Sequence, residues 1–258
     1  MDYRINYESC PLCQSKDFFL HATADCSKHV LYKAELPRLM SWMKCKSCNH
    51  MFLDGYFNDD GNKLIFSEIQ ENQQVGFELE KERQVSSRMI DKIIPFQKSG
   101  AWLDIGFGNA SLLFTAQEYG FYPVGVDLRL ENVANLNALG IEAHCNEVQK
   151  IDFMRKFSVV SMMDVLEHAP YPKEMLSAVV SLLDDGGIVL VSMPNTESIL
   201  WHEMTKQKTH PYWGEIEHYH NFSRTRLFDL LEEFSITPLN YGISLRYRAC
   251  MEIVAQKT

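Results

Sequence analysis

The stretch between residues 101 and 127 contains the residue types of a nucleotide-binding turn. An apolar run ends at Asp104, Gly106 and Gly108 follow, and a second apolar run ends at Asp127. Glycines at a strand-to-helix turn let the backbone approach a ligand without a Cβ clash, and the following helix N-terminus offers free N–H groups. An acidic residue about 20 positions after the first glycine can accept hydrogen bonds from both hydroxyls of a ribose. The stretch therefore predicts a strand, a glycine turn, a helix, a second strand and a ribose-binding carboxylate.

Two features separate this turn from the dinucleotide-binding fingerprint. That fingerprint has its third glycine where this chain has Ser111, and Asp104 at the end of the strand would oppose a pyrophosphate and suit a cation. The turn resembles the first motif of the class I S-adenosylmethionine-dependent methyltransferases, an acidic residue followed by glycine-x-glycine-x-glycine. Asp104, Gly106 and Gly108 match this motif, whereas Ala110 replaces its last glycine. We expect a negative φ at Ala110, because an alanine Cβ is then tolerated.

The resemblance implies that S-adenosylmethionine binds along the ends of several strands. It places the ribose on Asp127, the methionine part near Asp104 and the adenine beside Asn146, for which a plain loop is the alternative. Another string of the family, D-x-L-E-H, matches residues 164–168 and extends the cofactor site to the strand that ends at Met163. The cofactor-binding residues implied in this way are Asp104, Gly106, Gly108, Asp127, Leu128, Asn146, Met163 and Asp164.

Four cysteines near the N-terminus have the spacing of a zinc site. Cys10 and Cys13 form one C-x-x-C pair, and Cys45 and Cys48 form a second. Two such pairs can converge on one tetrahedral Zn²⁺ and hold together a segment too small for a core of its own. A redox function would explain one pair better than two. Because four thiolates leave no open coordination position, we interpret this site as structural.

Residues 194–222 form a long connection that is rich in aromatic residues and histidine. Long connections in compact domains are usually functional, and this one follows the C-terminal end of a strand. It leads into the string E-H-Y-H-N-F-S, which resembles the E-H-x-x-x-F-S string of bacterial methyltransferases that carry an N-terminal zinc domain and include sugar-nucleotide C-methyltransferases. The resemblance assigns Glu217 and His218 to the acceptor site, with His218 as the base and Glu217 orienting it. His168 and His220 are the alternative bases.

One departure separates the chain from that subgroup. Its sugar-nucleotide C-methyltransferases have a further C-terminal domain, which we expect a chain of 258 residues to be too short to contain. In the D-x-L-E-H string, Glu167 and His168 open the segment after a strand, where such a pair is often structural. The methyl acceptor and the methylated atom therefore stay open.

Composition and charge narrow the classes of partner. The net charge of −9 and the pI near 5.5 make the chain a poor candidate for wrapping nucleic acid. No apolar run approaches the ~20 residues of a membrane span, and the first residues lack the basic start and apolar core of a secretory signal. We expect a cytoplasmic protein that acts on a small-molecule acceptor away from membranes. The oligomeric state is not predicted.

The order of patterns along the chain predicts three parts. These are a zinc-binding domain at residues 1–60, connecting helices at residues 61–95, and a methyltransferase domain at residues 96–258. The resemblance implies a doubly wound, Rossmann-like α/β fold with a mostly parallel sheet and an antiparallel last strand. The expected helices cover residues 63–94 in two parts, then 112–119, 130–139, 172–183 and 224–234, and the expected strands cover 101–103, 124–126, 141–145, 157–163, 188–193, 236–241 and 247–254.

These patterns together favour an S-adenosylmethionine-dependent methyltransferase with a structural zinc. The expected acceptor is a small molecule such as a sugar or sugar nucleotide of surface-polysaccharide biosynthesis. One alternative is an NAD(P)-dependent oxidoreductase with the same fold, against which Asp104 and Ser111 argue. The other alternative is an adaptor in which zinc knuckles accompany a non-catalytic Rossmann-like domain.

Overall fold

The computed structural model describes residues 3–66, 69–208, 210–247 and 249–258. None of the helices in these ranges is long and apolar enough to span a bilayer. The strands are β1 (Arg4–Asn6), β2 (Phe18–Asp25), β3 (Leu39–Cys45), β4 (Met51–Leu53), β5 (Gly55–Phe57), β6 (Gly100–Ile105), β7 (Phe121–Asp127), β8 (Glu142–Cys145), β9 (Phe157–Met163), β10 (Leu183–Pro194), β11 (His220–Asn221), β12 (Ile236–Ile243) and β13 (Cys250–Lys257). The helices are α1 (Asp59–Ile65), α2 (Leu79–Ile93), α3 (Ser111–Glu118), α4 (Leu130–Ala138), α5 (Pro172–Leu182), α6 (Ile199–Lys206) and α7 (Arg224–Glu233), with short 3₁₀ helices at Glu71–Gln73, Val148–Lys150 and Leu166–His168.

The larger sheet has seven strands in the order β12-β13-β10-β9-β6-β7-β8. The five strands from β10 to β8 are parallel, whereas β13 lies antiparallel to both β10 and β12. Strand order reverses beside β6, so the ends of β6 and β9 border the crevice where open α/β sheets bind ligands. The predicted α/β fold, with its mostly parallel sheet and antiparallel end, is confirmed.

Separate apolar clusters cover the two faces of this sheet. Every residue of β9 is buried, and Val159 packs in one cluster whereas Val160 packs in the other, as side chains alternate along a strand. Ile90 of α2 and Leu113 of α3 belong to the cluster that contains Val159, and Leu230 of α7 belongs to the cluster that contains Val160. The sheet therefore holds the loops at its carboxyl edge from both sides.

A second sheet joins the N-terminal region to a distant part of the chain. Its strands run in the order β11-β4-β3-β2, while β1 and β5 form a separate two-stranded ribbon. In the edge pair, His220 lies opposite Phe52 and Asn221 lies opposite Met51. The segment after Glu217 and His218 is thus a strand of the sheet that carries the cysteine knuckles.

Several elements differ from their expected bounds. The helical pattern over residues 63–94 is divided between α1, a 3₁₀ helix and α2, with Ser67 and Glu68 outside the described residues. The connection 194–222, for which no helix was expected, contains α6. The Ser198 Oγ atom caps the first turn of α6 by accepting the backbone N–H of Trp201 at 3.0 Å. The last strand begins at Cys250 instead of residue 247, and Arg248 between them lies outside the described residues.

Candidate functional site

The turn between β6 and α3 is shaped by two glycines with positive φ. Gly106 has φ +70°, and its N–H donates to the Val126 carbonyl oxygen at 2.7 Å. Gly108 has φ +52°, and its N–H donates to the Asp127 Oδ2 atom at 3.3 Å. A Cβ at Gly106 would lie 2.6 Å from a methyl group of Val165, so the chain leaves no room for a side chain there.

Asp127 ends β7 beside this turn and is only 2% exposed. Its Oδ1 atom accepts the backbone N–H of Arg129 at 2.8 Å, while Oδ2 accepts the N–H of Gly108. These hydrogen bonds hold the carboxylate in one orientation at the mouth of the crevice. The arrangement fits a group that accepts the two hydroxyls of a ribose.

Ala110 departs from the conformation expected for it. Its φ is +62°, which lies in the left-handed region, so the expectation of a negative φ is wrong. The cause is a tight entry into α3, in which the Ala110 N–H donates to Phe107 O at 2.8 Å and the Phe114 N–H donates to Ala110 O at 3.0 Å. A left-handed conformation costs a non-glycine residue about 1–2 kcal/mol, and Ala110 adopts it while fully buried among apolar side chains.

Asp104 is buried behind the turn. It is 3% exposed, and its Oδ1 atom accepts the hydroxyl of Ser161 at 2.6 Å. Burial raises the pKa of Asp104 to about 7, although the Ser161 hydrogen bond and the Arg246 charge act in the opposite direction. Asp104 lines a small pocket with Ser111 and Arg246 and does not line the main cavity.

The main cavity has a volume of about 1320 Å³ and opens at the carboxyl edge of the large sheet. It is lined by seven of the predicted cofactor residues: Gly106, Gly108, Asp127, Leu128, Asn146, Met163 and Asp164. Glu217 and His218 line the same cavity, together with His168. The structure therefore brings all the predicted cofactor and catalytic residues to one cavity except Asp104.

Glu167, His168 and His218 form a cluster on the wall of this cavity. One ligand atom from each of the three side chains lies within 4.8 Å of the others. The two imidazole rings are perpendicular, with centroids 4.7 Å apart. Burial raises the pKa of Glu167 well above its usual range and lowers that of His218 well below its usual range. Both shifts favour the neutral form of the side chain, because burial disfavours the charged form.

The role expected for Glu217 differs from the contacts it makes. Its backbone carbonyl oxygen lies 3.0 Å from the Nδ1 atom of His168, and the Nδ1 atom of His218 has no hydrogen-bond partner among the described residues. The Glu217 side chain thus gives no hydrogen bond that orients His218 through that nitrogen. Glu167, which sequence reasoning left out of the site, lies with the histidines instead. Its position three residues after Asp164 in the D-x-L-E-H string was the available signal.

His220 has both ring nitrogens engaged inside the protein. Its Nδ1 atom lies 3.0 Å from Nε2 of His50, and its Nε2 atom lies 2.9 Å from the Ala169 carbonyl oxygen. It is fully buried, does not line the main cavity, and burial lowers its pKa to about 3. His220 therefore joins the N-terminal sheet to the segment after β9, which leaves His168 and His218 facing the cavity.

The four cysteines expected to bind zinc lie together in the structure. The Sγ atoms of Cys10 and Cys48 are 3.7 Å apart, those of Cys13 and Cys45 are 3.5 Å apart, and all four lie within 4.8 Å of one another. Four thiolates about 2.3 Å from one tetrahedral ion would be separated by about 3.8 Å. The cluster is therefore compatible with a closed Cys₄ zinc site.

The two knuckles that present these cysteines have the same local geometry. Gln14 and Asn49, each one residue after the second cysteine of its pair, have φ near +58° and +57°. Their N–H groups donate to the carbonyl oxygens of Cys10 and Cys45, at 2.8 and 3.0 Å. Matching turns from two distant segments point four sulfur atoms at one position, which is what a shared ion requires.

Residues 79–237 match the family model described as "Methyltransferase domain". This range covers more than half of the chain, including the glycine turn, Asp127 and the Glu167–His168–His218 cluster. The chain belongs to this methyltransferase family. The prediction of a class I S-adenosylmethionine-dependent methyltransferase domain is confirmed, and the dinucleotide alternative is disfavoured by the same match.

Two ubiquinone biosynthesis O-methyltransferases are similar to this chain over part of their length. The chain is 32% identical over 107 residues to a ubiquinone biosynthesis O-methyltransferase of Erwinia tasmaniensis, which covers 38% of this chain and 44% of that protein. It is 33% identical over 102 residues to the protein of the same name from Colwellia psychrerythraea, covering 36% and 41%. The matched part is thus less than half the length of these relatives.

Solved methyltransferase structures share the fold at low identity. Magnesium protoporphyrin IX methyltransferase from Synechocystis with bound SAH superposes with a TM-score of 0.55 at 17% identity, covering 69% of this chain and 84% of that one. A Burkholderia thailandensis 1,6-didemethyltoxoflavin-N1-methyltransferase gives a TM-score of 0.52 at 19% identity, covering 69% and 78%. These likenesses establish the methyltransferase fold.

Proposed function

We propose that this protein transfers a methyl group from S-adenosylmethionine to a small-molecule acceptor, at a hydroxyl group. The observation that carries the proposal is the continuity of one cavity, which reaches from Asp127 and the glycine turn to His168 and His218. A volume of about 1320 Å³ exceeds the roughly 300–1,000 Å³ of a typical single-ligand pocket. The cavity is therefore large enough for a cofactor and an acceptor side by side.

The residues at one end of the cavity suit the cofactor. Asp127 would accept the ribose hydroxyls, and the backbone at Gly106 and Gly108 allows close approach. Asn146, with Leu128 beside it, would border the adenine, and Met163 and Asp164 would lie along the cofactor. Asp104 would influence the methionine part of the cofactor from behind the glycine turn, because the Ser161 hydroxyl holds the Asp104 carboxyl group outside the main cavity. When bound, the cofactor would supply a methyl group on a positively charged sulfonium sulfur, which leaves as a neutral thioether.

The residues at the other end suit the acceptor. A hydroxyl nucleophile loses a proton when it attacks, and a nearby base accelerates that step by roughly 10²–10⁴. His218 is the group we propose for this proton, because burial keeps its ring neutral and its Nδ1 atom has no hydrogen-bond partner among the described residues. His168, whose Nδ1 atom is engaged by Glu217 O, completes this wall of the cavity.

A sugar or sugar nucleotide is the acceptor class suggested by the E-H-x-x-x-F-S resemblance. A phenol is the second candidate, for which the ubiquinone biosynthesis O-methyltransferases of similar sequence are the specific support. Tyr56, Tyr171, Tyr212 and Leu245 line the cavity and would pack against either ring. The Cys₄ cluster would hold a structural zinc, outside the reaction.

Calorimetric titration and product analysis test this proposal. We expect S-adenosylhomocysteine to bind once per chain and NADH not to bind. Incubation with isotopically labelled S-adenosylmethionine and separate pools of nucleotide sugars and dihydroxylated phenols should then yield one labelled product, identified by mass spectrometry. Binding of NADH with S-adenosylhomocysteine excluded would overturn the proposal, and the pool that is labelled decides between the two acceptors.

A further inference from the structure

The Glu167–His168–His218 cluster has the donor set of a metal site. Two imidazoles and one carboxylate form a ligand set that leaves coordination positions open for a substrate. Their donor atoms lie within 4.8 Å of one another, at the wall of the cavity that reaches the cofactor turn. Donor atoms about 2.0–2.2 Å from a common ion are separated by roughly 3–4 Å, so small side-chain shifts would complete such a site.

The hydrogen bonding of the cluster is incomplete in a way that suits an ion. Glu167 is 1% exposed, and neither carboxylate oxygen has a hydrogen-bond partner among the described residues. His218 is 7% exposed, and its Nδ1 atom also has no partner there. An unpartnered buried polar group costs about 1–3 kcal/mol, more when it is charged. Two buried side chains of the cluster thus carry three polar atoms that have no hydrogen-bond partner among the described residues.

A backbone contact fixes the orientation and the tautomer of the third ligand, His168. The Nδ1 atom of His168 lies 3.0 Å from the carbonyl oxygen of Glu217, which only an N–H can satisfy. The lone pair of His168 is therefore on Nε2, where it can bind a cation, and such second partners are typical of metal-binding histidines. The Tyr219 N–H donates to the Glu167 carbonyl oxygen at 2.9 Å, which joins the two segments that supply the ligands.

The charges nearby accommodate a divalent ion. Asp164 lies three residues before Glu167 in the chain, and its Oδ2 atom has no hydrogen-bond partner among the described residues. Arg246 Nη1 lies 3.9 Å from that oxygen, so Asp164 stands beside this guanidinium. When both carboxylates are ionised, Arg246 offsets one of them, and the other offsets part of the charge that an ion would bring into the cavity.

We propose that Glu167, His168 and His218 bind a divalent transition-metal ion whose open positions hold the acceptor oxygen. This inference rests on the proposed function and names the chemistry of its acceptor site. His218 can act as the base only while the site holds no ion, because its lone pair would bind the ion in the metal-bound protein. In that form the ion lowers the pKa of the acceptor hydroxyl and takes over the role proposed for His218. Adjacent hydroxyl groups on the acceptor, as in a vicinal diol or a catechol, could occupy two open positions together.

The reaction balances without any further reagent. The acceptor hydroxyl gives up its proton to solvent when its oxygen binds the ion, because a cation lowers the pKa of bound oxygen acids. An oxygen lone pair then forms the new C–O bond while the C–S bond of the sulfonium breaks. The products are the methyl ether and neutral S-adenosylhomocysteine, and the charge of the sulfonium leaves as the released proton.

The test is a titration of the zinc-loaded protein with Mn²⁺ alone, followed by electron paramagnetic resonance of the free ion. Mn²⁺ prefers nitrogen and oxygen ligands to thiolates, so the zinc-filled Cys₄ cluster should not compete. We expect one Mn²⁺ per chain, and we expect Glu167→Gln to weaken its binding by at least about tenfold. Glu174→Gln is the matched control, since Glu174 also lines the cavity and is not in the cluster.

Two further measurements keep the outcomes separate. Circular dichroism and binding of S-adenosylhomocysteine report whether Glu167→Gln is folded; if it is not, His218→Gln replaces it in the titration. Mn²⁺ that binds the folded variants as tightly as the natural protein, or no Mn²⁺ bound by the natural protein, would overturn the metal site. Mn²⁺ binding without any binding of S-adenosylhomocysteine would instead refute the proposed function and leave the metal site standing.

Discussion

His220 pairs with Phe52 across β11 and β4, so the strand that begins two residues after His218 is an edge of the cysteine-knuckle sheet. Buried contacts reinforce this pairing, because His220 also bonds to His50, five residues after Cys45. The cavity wall at His218 is therefore attached to the sheet that carries the Cys₄ cluster, whereas the glycine turn and Asp127 are attached to the large sheet. Changes in the two regions should have separable effects.

Loss of the zinc ion that we propose for the Cys₄ cluster should disable the proposed acceptor end of the cavity and spare the proposed cofactor end. In Cys45→Ser, or after chelation, we expect zinc to be lost and amide hydrogen exchange at residues 217–222 to increase. Methyl transfer should fall by roughly a hundredfold, as expected when a catalytic group shifts by about 1 Å. S-adenosylhomocysteine affinity, measured by calorimetry, should change little.

Cys26→Ser is the matched control for this experiment. Cys26 is buried near the same sheet, but its Sγ atom donates to the carbonyl oxygens of Pro37 and Arg38 at 3.3 and 3.2 Å and lies outside the Cys₄ cluster. We expect this variant to keep its zinc and its turnover. Cofactor affinity that declines in parallel with zinc content would show that the two ends are not separable.

Asp127→Asn should weaken cofactor binding. The variant loses the charge of a buried acceptor that would bond to the ribose hydroxyls, and hydrogen bonds to charged groups contribute about 1.5–3 kcal/mol. We therefore expect the Kd for S-adenosylhomocysteine to rise by roughly 10- to 100-fold. Asp152→Asn, at an exposed position, should leave it unchanged. Equal Kd values for both variants would remove Asp127 from the cofactor site.

The fold elements and site residues that could be predicted from the sequence are those whose structure is decided by a local pattern. β9 follows from an unbroken apolar run, and α7 follows from Ser223, whose Oγ atom accepts the Arg226 N–H at 3.0 Å. The two-residue strand β11 has no periodicity of its own, since its pairing partner lies more than 160 residues earlier. Glu167 was missed for a similar reason. The burial of Glu167 and the missing hydrogen-bond partners of its carboxylate depend on residues that only the fold brings near it.

His218→Ala and His220→Ala should separate catalysis from architecture. His218 faces the cavity, so we expect its loss to lower turnover by roughly 10²–10⁴ while cofactor affinity is nearly unchanged. His220 bonds to His50 and Ala169 O, so its loss should lower the melting temperature. The folded His220→Ala protein should retain more turnover than His218→Ala. The reverse order of turnover would exchange the two assignments.

Gly106→Ala should destabilise the protein more than Gly108→Ala. Both glycines have positive φ, which costs alanine about 1–2 kcal/mol, but only at Gly106 would the new Cβ meet another atom, 2.6 Å away at Val165. A Cβ at Gly108 would have nothing within 4 Å. Thermal unfolding measures the difference, and adding Val165→Ala should recover part of it only for Gly106→Ala. Equal melting temperatures for the two single variants would contradict the close approach.

Asp104→Asn should change how stability depends on pH. Burial raises the pKa of Asp104 from its ordinary value of 3.8 to about 7 in the folded protein. The folded state thus binds the extra proton between these values, so the stability it contributes is complete below pH 3.8 and is lost as the pH rises through 7. At about 1.4 kcal/mol per pKa unit the loss is roughly 4 kcal/mol at most.

Asparagine cannot titrate, so the melting temperature of Asp104→Asn relative to the natural protein should rise between pH 4 and pH 8, as measured by calorimetry without cofactor. A relative melting temperature for Asp104→Asn that falls with pH would mean that Arg246 holds Asp104 charged in the folded protein.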